Sequence, residues 1–170
     1  MSKRLPEIDA VLDGMARRLA DTIDDSLDAP LMVGIRTGGA WIAERLHERL
    51  SLKEPLGMLD IAFYRDDFSH VGIDPMVRPS HLPVDLEGRD IILVDDVLHT
   101  GRTIRAALNE LFDYGRPASV KLAVLIDRGG RELPVQADIV GAELHLVQGE
   151  HVKLQGPEPL SLEVRSDVDG

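Results

Sequence analysis

The sequence predicts an α/β protein built on a doubly wound, mainly parallel sheet. Three observations lead there. Apolar runs with little polar alternation, Leu31 to Ile35, Ile91 to Val94 and Val120 to Ile126, suit strands covered on both faces. Between them lie segments whose apolar residues fall three and four apart. Small turn residues, Thr37-Gly38-Gly39 and Thr100-Gly101, mark strand-to-helix junctions. Alternation of strand and helix in this manner joins parallel neighbours in one sheet.

Taken in order, Ile8, Val11, Leu12, Met15, Leu19, Ile23 and Leu27 recur at helical spacing with Pro6 near the first turn, so residues 7–27 form an amphipathic helix with its stripe on the core. Residues 31–35 form a buried strand, 41–50 a helix, 56–64 a strand, 90–94 a strand, 101–112 a helix and 120–126 another strand. Shorter strand-like pieces near Ile139, at 151–154 and at 160–164 are separated by Gly141, Gly149 and Gly156. They are expected to build a small C-terminal cap over the sheet edge. Between Tyr64 and Pro83 periodicity stops, and Gly72, Pro75, Arg78 and Pro79 stand in a polar stretch of a length that is usually functional or disordered. The tail after Arg165 is expected to fray.

Composition narrows the class. A chain of 170 residues, 44% hydrophobic, can bury one substantial core, and a single domain over 1–170 is expected. The absence of cysteine excludes a disulfide framework and thiolate chemistry. No apolar run approaches the roughly eighteen residues of a membrane span, and the start Met-Ser-Lys-Arg-Leu-Pro leads into no signal-type apolar core. A cytoplasmic location without a membrane partner is the expectation. Lys plus Arg number 19 against 30 Asp plus Glu, a net charge of −11, so nucleic acid finds no global attraction and any RNA site must be a local basic patch. The phosphate-loop, dinucleotide and zinc-hydrolase signatures are missing, so those classes lack their chemistry.

The chemistry concentrates between Ile91 and Thr103. An apolar strand delivers Asp95 and Asp96 at its carboxyl edge, where ionised carboxylates suit vicinal sugar hydroxyls or a bridging cation. Thr100, Gly101, Arg102 and Thr103 then open a helix carrying Ile104, Ala107, Leu108 and Leu111, and its unpaired N–H groups suit an anion. A ribose bearing a 5-phosphate satisfies both demands.

This segment resembles the signature of the type I phosphoribosyltransferases: a hydrophobic strand, two acids, a short spacer and Thr-Gly-Arg-Thr. Three further segments narrow the resemblance to the pyrimidine operon attenuation regulators that double as uracil phosphoribosyltransferases. They are Val33-Gly34-Ile35-Arg36-Thr37-Gly38-Gly39, Leu59-Asp60-Ile61-Ala62-Phe63-Tyr64-Arg65-Asp66-Asp67, and Ala123 through Asp127-Arg128-Gly129-Gly130-Arg131-Glu132-Leu133-Pro134. The resemblance implies uracil plus phosphoribosyl diphosphate giving UMP and diphosphate, with Mg2+ held mainly by substrate oxygens rather than by protein side chains. It implies a mobile hood over residues 64–83 that closes before reaction, bringing Arg65 and Arg78 to the diphosphate. Asp95, Asp96 and Arg65 would carry catalysis. Thr37 and Gly38 would belong to the diphosphate loop, Val97, Leu98, His99, Thr100, Gly101, Arg102 and Thr103 to the sugar-phosphate turn, and Arg128, Ile139 and Val152 to the base site.

There are departures. Relatives commonly read Thr-Arg-Gly where this chain has Thr37-Gly38-Gly39, so a positive charge is missing, and an aromatic ring often stands in place of Ile139. A second hypothesis is a sensor of UMP or UTP that binds pyrimidine-operon RNA without significant catalysis. Relatives with that activity tend to have His-Arg where Gly130-Arg131 stands and basic residues near Gln136 and Glu143, leaving Arg17, Arg18, Arg131 and Lys153 as phosphate contacts, so weak RNA binding is expected. A purine-specific transferase stays open, because the sugar-phosphate motif does not reveal the base. Relatives assemble as homodimers or larger closed forms.

Overall fold

A strand that is apolar on both faces needs two covering layers, and both are present. The computed structural model describes residues 4–61 and 80–167. Among these the elements run α1 (Ile8–Ser26), β1 (Leu31–Ile35), α2 (Gly38–Leu50), β2 (Gly57–Leu59), β3 (Asp90–Leu98), α3 (Arg102–Asp113), β4 (Ser119–Asp127), β5 (Ile139–Glu143), β6 (Glu150–Gln155) and β7 (Ser161–Ser166). Strands β2, β1, β3, β4 and β5 form one sheet in that order, each neighbouring pair parallel. Ile92 and Val94 of β3 pack toward α1 and α2 among Leu12, Met15, Leu19, Ile42 and Leu46. Ile91 and Leu93 pack on the opposite face, among Ile104, Ala107 and Leu111 of α3. Alternate residues thus face two different cores, and each fully buried Ile or Leu contributes about 1.5–3 kcal/mol.

Helix ends follow local chemistry. The carboxylate of Glu7 caps α1, accepting from the N–H groups of Asp9 at 3.2 Å and Ala10 at 3.1 Å, and the extended backbone of Leu27 ends the helix. Helix α2 starts at Gly38, three residues before the apolar spacing begins, because its two leading glycines carry no hydrophobic signal.

Three expectations change. β2 covers Gly57–Leu59 rather than 56–64, because it pairs with only the last three residues of β1 and the next N–H, that of Asp60, donates to Ser80 Oγ at 2.9 Å. Residues 62–79, with most of the expected hood and both Arg65 and Arg78, lie outside the described residues. β3 does not stop at Val94 but runs through both acids to Leu98, since β4 continues the ladder from Asp95↔Val124 to Leu98↔Asp127. The piece near Ile139 is no part of a cap: as β5 it extends the main sheet, Ile139 pairing with Ala123.

The other two late pieces do form a separate antiparallel hairpin, β6 with β7, seated through Val152, Leu154, Leu162 and Val164 on the α1–α2 core. Arg45 of α2 ties its tip, donating to the Pro157 carbonyl at 2.7 Å and to Glu158 at 3.2 Å. Among the described residues no helix is long and apolar enough to cross a membrane. With β2 on one side of β1 and β3 on the other, chain order reverses between β1 and β3, and such a switch point opens a crevice at the carboxyl ends of the strands.

Candidate functional site

The crevice arises from unequal strand lengths. β1 reaches only as far as Gly34↔Val94, so Asp95 and Asp96 overhang it, supported on their other side by β4. The chain leaving β1 turns through Thr37, Gly38 and Gly39 directly against them. A Cβ built on Gly39 would stand 2.7 Å from the Val94 carbonyl oxygen and 3.1 Å from Asp95 Oδ1, and one built on Gly38 would run into the Asp96 carboxylate. Glycine at position 39, where the neighbours are backbone atoms, lets the turn close onto the acid pair, whereas a side chain at position 38 would turn the Asp96 carboxylate aside.

Asp95 is 5% exposed, and its Oδ1 accepts from the Asp96 N–H at 2.8 Å. Asp96 is half-buried, its Oδ1 accepting from the Val97 N–H at 2.8 Å, so its other oxygen faces Gly38 across the crevice. Backbone donors thus fix both carboxylates, a geometry ready for sugar hydroxyls.

Five residues beyond Asp96, Gly101 caps α3 with φ of +95°, a backbone region natural to glycine. Space demands glycine there too, because a Cβ would lie 3.1 Å from Val135. Thr100 Oγ1 accepts from the Arg102 N–H at 3.2 Å, and the helix makes its first bond from the Arg105 N–H to the Gly101 carbonyl at 3.0 Å. Backbone donors ahead of that bond, at a helix end with no acidic residue in its first turn, form an anion cradle. Arg102 and Thr103 are exposed, and Arg102 Nε donates to Glu132 at 2.9 Å.

The family profile of the phosphoribosyl transferase domain matches residues 2–155. The chain belongs to the phosphoribosyltransferase family. Among its relatives, the bifunctional protein PyrR of Nitrosococcus oceani is 54% identical over 161 residues, covering 91% of each chain. The bifunctional protein PyrR of Pseudomonas aeruginosa is 55% identical over 160 residues, covering 94% of each. A hypoxanthine phosphoribosyltransferase from Staphylococcus aureus superposes with a TM-score of 0.64 at 19% identity, over 84% of this chain and 77% of that one, a likeness of fold alone.

Within this phosphoribosyltransferase the structure brings Thr37, Gly38, Asp95 and Asp96 together, with the Val97–Thr103 stretch leading from the acids into the cradle. The Leu98 side chain is buried in the α3-side core and its carbonyl accepts from the Arg128 N–H at 3.1 Å. Ile139 is 7% exposed, its side chain packed among the α1-side core residues. Val152 lies half-buried on β6, packed on that same core. Arg128 is better placed, beyond the end of β4 beside His99, with Nη2 donating to the Glu150 carbonyl at 3.2 Å and a buried Nε that has no hydrogen-bond partner. Partial desolvation, reinforced by the Arg128 charge, holds the His99 imidazole below its ordinary pKa.

Two of the residues left as candidate RNA contacts are engaged within the chain. Arg18 donates to the Val140 carbonyl at 2.6 Å, and Arg131 donates to Val135, His99 and Asp127. The 127–135 loop as a support for the cradle escapes sequence reasoning. Its one local trace is the i, i+4 spacing of Asp127 and Arg131. Among the described residues no three metal-ligating side chains cluster.

Proposed function

We propose that this chain transfers the phosphoribosyl group of phosphoribosyl diphosphate to uracil, giving UMP and diphosphate, and serves as a uridine-nucleotide-responsive regulator of pyrimidine biosynthesis. The observation that carries the reading is the closure of the Thr37–Gly39 turn on Asp95 and Asp96, beside the Thr100–Thr103 cradle. Asp95 and Asp96 take the ribose hydroxyls and stabilise the cationic sugar as the bond to diphosphate breaks. The cradle holds the 5-phosphate, so that remote binding energy positions the reactive carbon. Uracil N1 then bonds to that carbon while diphosphate leaves with the electron pair, and the N1 proton is released to solvent with no side chain assigned as its base. Thr37 and Gly38 hold the diphosphate, with Arg65 and Arg78 assigned to neutralise it. Arg128 is assigned to the base from its place beyond the end of β4, its Nη2 already held by the Glu150 carbonyl.

The donor set fits Mg2+ bound chiefly through substrate, since two adjacent carboxylates are too few for an all-protein cage. When bound, the ion would shield the charge of the departing diphosphate.

Incubation with Mg2+, phosphoribosyl diphosphate and each nucleobase in turn, following diphosphate release, tests this assignment. Uracil-dependent release is the expected result. Release driven by a purine would move the specificity, and no release with any base would overturn the catalytic assignment.

A further inference from the structure

We infer that Arg131 is a positioning residue for the phosphate cradle, holding the 127–135 loop as a brace behind the Thr100–Thr103 turn. This inference rests on the reading of that turn as the 5-phosphate site. The guanidinium reaches three separate stretches of chain. Its Nη1 donates to the His99 carbonyl at 2.9 Å, immediately before the turn, its Nε to the Val135 carbonyl at 2.7 Å, and its Nη2 to Asp127 Oδ2 at 2.7 Å at the end of β4.

The brace it fixes touches the turn at several points. The N–H groups of Glu132 and Leu133 both donate to the Thr100 carbonyl, at 2.9 and 3.0 Å, and Glu132 holds the Arg102 side chain. Val135 fills the space against Gly101, where a Cβ would come within 3.1 Å. Backbone N–H groups at the start of α3 are donors for a phosphate there, so their direction matters for recognition, and the brace sets it. Asp127 completes the arrangement, its Oδ1 accepting from the Gly129 N–H at 2.9 Å. With Arg131 beside it, the Asp127 carboxyl stays below the usual carboxylate range and remains ionised as the anchor. Lysine cannot reproduce this role, because one ammonium does not span three acceptors in a plane.

The test compares UMP with uridine, which lacks the 5′-phosphate, by calorimetric or NMR titration of wild type, Arg131→Ala and Arg131→Lys. Arg131→Ala should weaken UMP by about tenfold or more, the scale of a sub-ångström misplacement, while uridine stays within about twofold of wild type. Arg131→Lys should fall between the two. Equal weakening of both ligands would assign Arg131 a merely structural role and overturn the inference, as would unchanged UMP affinity. If Arg131→Ala does not fold, Asp127→Asn removes the one charge among the three acceptors and should still lower the UMP-to-uridine affinity ratio; an unchanged ratio overturns the inference. A wild-type protein that binds UMP no better than uridine would instead defeat the reading of the turn itself, so the two failures are distinct.

Discussion

Replacing Gly39 by alanine tests how closely the diphosphate turn must approach the acid pair. The added Cβ would sit 2.7 Å from the Val94 carbonyl oxygen and 3.0 Å from Asp95 Cα, both backbone atoms of a central strand that cannot swing aside. Relief requires the start of α2 to retreat from β3 by roughly half an ångström or more, an overpacking that costs about 1–3 kcal/mol. Alanine in place of glycine inside a helix returns about 1 kcal/mol. Net destabilisation is therefore about 0–2 kcal/mol, and Tm falls by about 2–4 °C for each kcal/mol in a chain of this size. The site suffers more than the fold, because a misplacement approaching 1 Å costs up to about a hundredfold in rate. Uracil-dependent diphosphate release should show kcat/KM reduced about ten- to a hundredfold, with a Tm only a few degrees lower. A Gly39→Ala protein with kcat/KM within about twofold of wild type would refute the close-approach reasoning.

Asp96→Asn removes a charge-assisted contact worth about 1.5–3 kcal/mol, so kcat/KM should drop about ten- to a hundredfold with the Tm preserved; steady-state kinetics checks it. The lowered pKa of His99 should make stability depend on pH. Its folded pKa lies below the unfolded value of about 6.5, so its contribution is complete above about 6.5 and declines as pH falls toward the folded pKa. Urea melts between neutral and mildly acidic pH should show this loss, and His99→Gln should flatten it. With Arg18 and Arg131 held by Val140, His99, Val135 and Asp127, filter-binding titration at physiological salt should find no sub-micromolar, sequence-selective RNA affinity, and finding one would overturn the expectation.

The sheet was legible because β1, β3 and β4 are apolar at successive positions, a pattern that arises only when both faces are covered. Residues 31–35 coincide with β1 for that reason. The acid pair and the cradle were legible too, since adjacent carboxylates followed by a glycine-bearing turn have few other uses at a strand end. Pairing was less visible. The extension of β3 to Leu98 depends on β4 offering a ladder beyond the reach of β1, and the place of Ile139 depends on an open edge at β4.

By itself the amino-acid order determined the layers, the strand-to-helix junctions and the placing of the acid pair just ahead of the Thr100–Thr103 turn, because side-chain periodicity records how a segment is covered wherever it lies. Only the tertiary structure decided that Gly38 and Gly39 press on Asp96 and Asp95, that Ile139 belongs to the core and that Arg131 reaches across to the His99 carbonyl. Those are contacts between segments remote in sequence, and they exist only once the sheet has set its strand order.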